Sequence, residues 1–123
     1  MSVDLSWILE VARRAGHDDP APDDYGVPVA AVERHRAMIA GQDVYHGPYA
    51  KAAALAHSLG RMRWLERSNL RVAVAVAHGY LLACGVSVKL TQTGVTALAD
   101  ELTRASSTAA GVAAVLKTWE TTD

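Results

Sequence analysis

Phenylalanine is absent from the 123-residue chain, and cysteine occurs once, at Cys84. A single cysteine excludes an intramolecular disulfide framework and a cysteine-rich zinc site, and it suits a reducing compartment. No window approaches the ~18 uninterrupted apolar residues that a membrane helix needs. The opening stretch MSVDLSWILEVARRAG does not have the pattern of a signal peptide either. It carries an acidic residue where basic ones belong, and Arg13 and Arg14 cut its apolar run short. A large charge of one sign is also missing: twelve basic and thirteen acidic residues leave −1, so no global field draws the chain onto nucleic acid or an anionic membrane. These absences predict a cytoplasmic protein with neither a nucleic-acid nor a membrane partner.

What is present is small and apolar. Half of the residues are hydrophobic, which excludes a wholly disordered chain. The length fits one domain, 1–123, built around one core. Alanines recur at 52–54, 73, 75, 77, 109–110 and 113–114, allowing helices to approach closely at little cost in side-chain entropy. Charge is locally polarised. Arg61, Arg63, Arg67 and Arg71 fall within eleven positions, whereas Asp18, Asp19, Asp23 and Asp24 gather in the N-terminal third.

Periodicity and punctuation predict an all-α, compact bundle of about six helices. The first runs from about Asp4 to Ala15, with Leu5, Ile8, Leu9 and Ala12 on one face and Gly16 as its stop. HDDPAPDDYGVP is a loop. Pro28 opens a second helix predicted to reach about Ala40, with Val29, Val32, Arg36 and Ile39 along its stripe and Gly41 as terminator. Pro48 opens a third, which ends near Gly60, and RMRWLERS follows as a loop. Ser68 is the expected N-cap of a central buried helix near 69–84, apolar on nearly every side and closed by Gly85. Val86 to Val88 reads as extended. Two last helices start at Thr93 and at Ser106 or Ser107, the second of them running through Trp119.

The arginine-dense loop entering the central helix is the most informative feature. A helix N-terminus offers unpaired N–H groups and the positive end of the dipole, and guanidinium forks suit phosphate oxygens. Arg63, Arg67, Ser68, Asn69 and Arg71 are therefore candidates for a phosphate or nucleotide site. The competing reading is a surface loop whose arginines pair with the acidic N-terminal segment.

The stretch Pro48 to Trp119 resembles the Fic/Doc family, most closely its small Doc (death-on-curing) toxins. YAKAAALAHSL resembles the helix before the family's active loop. RWLERSNLR falls where the motif His-x-Phe-x-Asp-(Gly/Ala)-Asn-Lys-Arg lies, AVAVAHGYLLACGVSV resembles the central helix, and Leu98 to Trp119 the two C-terminal ones. The resemblance implies an α-helical fold and nucleotide-dependent transfer of a phosphoryl or AMP group to a hydroxyl. For Doc toxins it implies elongation factor Tu as target and an antitoxin that lays a segment into a groove beside the loop.

Carried across position by position, the motif keeps its Asn as Asn69 and its final Arg as Arg71, with Ser68 at the small position. The general-base histidine falls on Arg63, which cannot accept a proton at physiological pH. The Mg²⁺-holding acid falls on Arg67, whose charge repels the metal. The motif Phe falls on Leu65 and the Lys on Leu70. No catalytic residue is assigned, Arg63 merely occupying the base position. Mg²⁺ is not expected, whereas ATP or another nucleotide stays a candidate ligand.

Other residues invite a role. His46, His57 and His78 lack zinc-site spacing; His78 reads as a hydrogen-bonded core histidine, and His57 lies near enough to the loop to be a replacement base. Cys84 reads as a small buried hydrophobe. Trp64, with Leu65, is either a plug seating the loop or part of a partner groove or stacking surface. Three functional readings remain. The leading one is a degenerate Doc-like protein, a pseudoenzyme of the toxin family that works by binding a protein partner (an antitoxin-like segment or a translation factor) and an anion or nucleotide. The second is an active phosphotransferase or AMP-transferase toxin with rewired chemistry. The third is a non-enzymatic anion- or nucleotide-binding module.

Overall fold

A computed structural model describes residues 1–121 of the chain. Its order is α1 (Leu5–Ala15), α2 (Gly26–His35), a hairpin of β1 (Met38–Ile39) and β2 (Gln42–Asp43), α3 (Gly47–Arg61), α4 (Asn69–Ala83), α5 (Gln92–Thr103) and α6 (Ala109–Lys117). Six helices with almost no sheet make this an all-α bundle. The alanines carry the packing. Ala52, Ala53 and Ala56 of α3 meet a face of α4 that contains Ala73 and Ala77, all fully buried. Gly60 extends that close approach, because a Cβ there would lie 3.2 Å from the Ala73 Cβ and 2.8 Å from a Leu102 methyl. The α3–α4 pair is thus the spine; α2 and α6 pack on α3, α1 and α5 on α4.

Helix α4 ends as its glycine requires. Gly85 takes φ +82°, the Val86 N–H donates to the Leu81 carbonyl at 3.0 Å, and the Gly85 N–H donates to Leu82 at 3.0 Å. This is a Schellman closure. The chain then extends, and Val88 forms a single antiparallel bridge to Glu120. Helices α5 and α6 are capped one or two residues from the predicted starts, at threonines whose hydroxyls accept from the third helical residue: Thr91 from Gly94 N–H and Thr108 from Gly111 N–H, each at 2.9 Å. Trp119 lies past the end of α6, its Nε1–H donating to the Gly94 carbonyl at 3.2 Å.

The second helix departs from expectation. It stops at His35, five residues short of Ala40, and Met38 to Asp43 turn back as a hairpin pairing Met38 with Asp43 and Ile39 with Gln42. Ala40 and Gly41 both have positive φ, +51° and +79°. That is the two-residue primed turn whose twist matches its strands, so Gly41 serves a hairpin and not a helix terminus. Arg36 is exposed and Ile39 is 71% exposed, while the inward face is Val27, Pro28, Ala31, Val32 and His35. An alanine at φ +51° costs about 1 kcal/mol against glycine. Ala40→Gly is accordingly expected to raise stability by about 0.5 kcal/mol after the extra freedom of the unfolded chain is deducted, read as a higher urea midpoint; a lower midpoint would contradict the turn geometry.

The buried, hydrogen-bonded histidine is also a different one. His78 is only half-buried, against the Trp119 ring at 6.5 Å. His35 is fully buried: its Nε2 accepts from the Val3 N–H at 3.1 Å, and its Nδ1 bonds the Val32 carbonyl. A carbonyl only accepts, so the proton sits on Nδ1 and the ring is neutral. The N-terminal residues are thereby fastened to α2, and the Tyr80 hydroxyl adds a second tie by donating to the Met1 carbonyl at 2.6 Å.

Candidate functional site

The loop between α3 and α4 is shaped from within by one amide. Asn69 Oδ1 accepts from the N–H groups of Trp64 (3.1 Å) and Leu65 (3.0 Å), and its Nδ2 donates to the Leu65 carbonyl at 2.9 Å. An asparagine at the first position of the helix thus satisfies the loop's own backbone, leaving its amide committed to the loop and not turned to a ligand. Trp64 is fully buried, with its indole N–H on the Leu59 carbonyl at 3.2 Å, and Leu65 is buried beside it. Both side chains seat the loop on the core, and the buried indole offers no face for stacking.

Ser68 stands at the N-cap position, yet makes no side-chain cap to its own helix. Its hydroxyl instead accepts from the His17 N–H at 2.9 Å. The cap comes from elsewhere in the chain. Asp19 Oδ2 accepts from the N–H groups of Arg67 (2.8 Å) and Ser68 (3.2 Å), while Oδ1 accepts from His17 N–H at 3.3 Å. A carboxylate at the positive end of a helix dipole is well placed electrostatically. Burial raises its pKa, but hydrogen bonds from the Ser68 hydroxyl and from the N–H groups of Arg67, Ser68 and His17 outweigh that and hold the Asp19 carboxyl below its ordinary value.

The guanidinium groups are engaged as well. Arg63 lies 3.8 Å from Asp23 Oδ2 and Arg67 lies 3.2 Å from its neighbour Glu66, both pairs on the exposed surface. Arg71 Nη1 approaches His17 Nδ1 at 3.1 Å. Since a guanidinium only donates, that nitrogen carries no proton. The Asp23 N–H completes the seam by donating to the Trp64 carbonyl at 2.7 Å. The structure therefore joins the loop to residues 17–23, with Arg63 near a carboxylate of the acidic segment while Arg67 pairs with Glu66 and Arg71 with His17. His17 is the residue that sequence reasoning did not place here; Asp19 and Asp23 belong to the acidic segment that the competing reading set against the arginines, without the backbone groups that Asp19 takes.

Of the remaining candidates, His57 faces away from the loop. Its Nδ1 accepts from Arg34 at 2.9 Å and its Nε2 donates to the Ser107 carbonyl at 3.3 Å, so both ring nitrogens are occupied by partners outside 62–71. Burial lowers its pKa. Cys84 is half-buried, 3.9 Å from the Met1 sulfur. At the position where the resemblance implies a metal ligand, the Arg67 cation and its partner Glu66 neutralise one another, and among the described residues no group of three or more His, Cys, Asp or Glu is placed to hold a metal ion. These residues do not fit Mg²⁺. No helix among the described residues is long and apolar enough to cross a membrane.

Two clefts flank the loop. One, of about 350 Å³, runs between α1 and residues 16–25 and is floored in part by Leu65. The other, of about 340 Å³, is apolar, lined by Leu70, Val74, Leu90, Val95 and Ala99, with Arg71 at its margin.

Comparison with known proteins agrees with part of this picture. No family model matches the chain, and no solved structure does. Over 65 residues the chain is 43% identical to a protein named Toxin Doc from Mycolicibacterium smegmatis, a match that covers 53% of this chain and 50% of that protein. The chain thus aligns with about half the length of the curated relative it matches, and the similarity suggests a Doc-like relationship.

Proposed function

We propose that this chain is a Doc-like protein of toxin ancestry that acts by binding, as a pseudoenzyme without the His- and Mg²⁺-dependent transfer that the resemblance implies. The observation that carries the reading is the pair of guanidinium groups, Arg63 and Arg67, at the base and metal positions of the loop. Neither can take a proton from a hydroxyl or coordinate a cation. What the loop retains is suited to an anion, a phosphate or nucleotide held by Arg63, Arg67, Arg71 and the backbone at Ser68. The apolar cleft along α4 and α5, with Arg71 at its margin, suits an amphipathic segment of a protein partner that brings apolar anchors and one acidic side chain. An antitoxin-like segment is the partner of this chemistry. A single domain, 1–123, accommodates all of this.

The test is label transfer from ATP carrying ³²P at the α or the γ position, with elongation factor Tu as acceptor and with Mg²⁺ present or absent. No transfer is expected in any arm, whereas Arg63→His combined with Arg67→Asp should gain Mg²⁺-dependent nucleotide binding. Transfer by the unaltered chain would overturn the reading.

A further inference from the structure

Arg34, in the last turn of α2, is a partly buried cation that no carboxylate among the described residues pairs with. Its neighbour Glu33 is turned to Arg36. Two hydroxyls and an imidazole hold the guanidinium instead. Nε–H donates to the Tyr45 hydroxyl at 2.7 Å, and Nη1 donates to His57 Nδ1 at 2.9 Å and to the Ser58 hydroxyl at 3.1 Å. The guanidinium carbon lies 5.4 Å from the centre of the Tyr45 ring. Taking a cation out of water without a counter-charge is costly. The fold thus fixes this guanidinium from two elements and leaves its charge unanswered.

Two donors remain on it. Nη1 spends both of its hydrogens on His57 and Ser58, whereas Nη2 makes no bond to the described residues. Nε and Nη2 share one edge of the planar fork, so an oxygen that Nη2 reaches lies beside the Tyr45 hydroxyl. That hydroxyl accepts from Nε and has its own hydrogen left to give. Tyr45 is also a wall of a cleft of about 300 Å³ between the turn before α3 and the start of α6. Val44, Ala50 and Ala113 make the cleft apolar, and Ala109 and Ala110 bring to it the first turn of α6, the positive end of that helix. Glu101, whose charge reaches His57, has Arg104 at 3.6 Å to offset it.

We propose that Arg34, the Tyr45 hydroxyl and this cleft form a binding site for a small monocarboxylate with a short apolar stem. The carboxylate receives hydrogen bonds from Arg34 Nη2 and Tyr45 Oη, and the stem lies against Val44, Ala50 and Ala113. One guanidinium and one phenol answer a single negative charge, and apolar walls with a few convergent donors are what a small organic ligand needs. The site stands apart from the arginine loop, from which His57 faces away, and does not depend on that loop binding an anion.

The experiment is a ¹H–¹⁵N NMR titration of the whole chain at pH 7.5 and one ionic strength, with butyrate, acetate, butylamine and inorganic phosphate as probes. Butyrate should shift the Ala50, Ala109 and Ala110 amides along a saturable curve with a millimolar Kd, as suits so small a ligand. Acetate, two methylenes shorter, should bind about tenfold more weakly, and butylamine should leave these amides unmoved. Arg34→Gln should weaken butyrate about tenfold or more, and Tyr45→Phe, which keeps the ring, about threefold; circular dichroism verifies that each variant is folded. The absence of a saturable butyrate shift would overturn the site. Undiminished affinity in folded Arg34→Gln, or in Tyr45→Phe should the first variant fail to fold, would do the same. Phosphate binding more tightly than butyrate at these amides would overturn the assignment to a carboxylate.

Discussion

Trp64→Ala is expected to cost about 3–5 kcal/mol, the range for truncating a fully buried large aromatic. The indole is the largest fully buried side chain in the structure and carries the polar tie to Leu59 as well as the apolar contact. Its loss opens a cavity under the loop and frees the Leu59 carbonyl at one stroke. For a domain of this size such a loss shifts the thermal midpoint by well over ten degrees, or leaves the chain unfolded near physiological temperature. Trp64→Phe separates the two contributions. It refills most of the volume and leaves the carbonyl unpaired, so about 1–2 kcal/mol should remain lost. Urea denaturation of both variants reads this directly. A cost under about 1 kcal/mol for the alanine variant would mean that the loop is not seated by its tryptophan. On the register that the resemblance implies, the loop is anchored chiefly one step before the position of the motif's Phe, at Trp64, with Leu65 buried beside it.

That shift explains what was legible in the sequence and what was not. The helices were visible wherever a local cause acts: the Gly85 closure is set by a backbone conformation that glycine adopts freely, and the alanine faces of α3 and α4 follow a helical repeat. The hairpin at Met38–Asp43 was hidden because its signal is an Ala-Gly pair, and alanine carries no preference for positive φ. Arg36 and Ile39 kept the helical spacing but lie at or beyond a helix end that spacing alone does not mark, and Val29, inside α2, faces outward. At the site, the composition of the loop was plain, whereas its partners were not. Ser68 has the chemistry of an N-cap, yet Asp19, forty-nine positions away, takes the N–H groups at the helix start. Long-range hydrogen bonds leave no periodic trace. Clustered aspartates facing clustered arginines indicated pairing, but not which carboxylate would reach the backbone. Trp64 shows the same limit at shorter range: burial and exposure both suit a tryptophan in a charged loop, and only the packing of the Leu59 turn decides.

The histidines lead to the other large expected effect, a loss of stability between neutral and mildly acidic pH. His35 is lowered first by burial, then further by the nearby charges of Arg36 and Lys51, against a raising contribution from the Val32 carbonyl. His57 is lowered by burial and by Arg34 and Arg61. In the unfolded chain each titrates near the ordinary value of about 6.5. As pH falls below that value the unfolded state binds a proton that the folded state refuses, so stability falls. The decline continues until pH reaches the lowered folded pKa, at about 1.4 kcal/mol per pH unit for each histidine. The carboxylates act elsewhere on the scale. Glu10, held to about 2 by Arg13 and Arg14, and Asp19, also lowered, contribute only near and below the ordinary carboxylate range. Stability measured by urea at pH 7.5, 6.0 and 5.0 should therefore fall as pH drops below the ordinary histidine value. His35→Gln keeps both a donor for the Val32 carbonyl and an acceptor for the Val3 N–H while removing the titration, so its slope should be shallower by about one proton. An unchanged slope in that variant would show that His35 takes up its proton without unfolding. Because His35 fastens the N-terminal residues, and α1 leads from them to the 17–23 segment, the same protonation would loosen the element that lies on the arginine loop; hydrogen exchange at pH 5.5 should find the Val3 and His17 amides opening together.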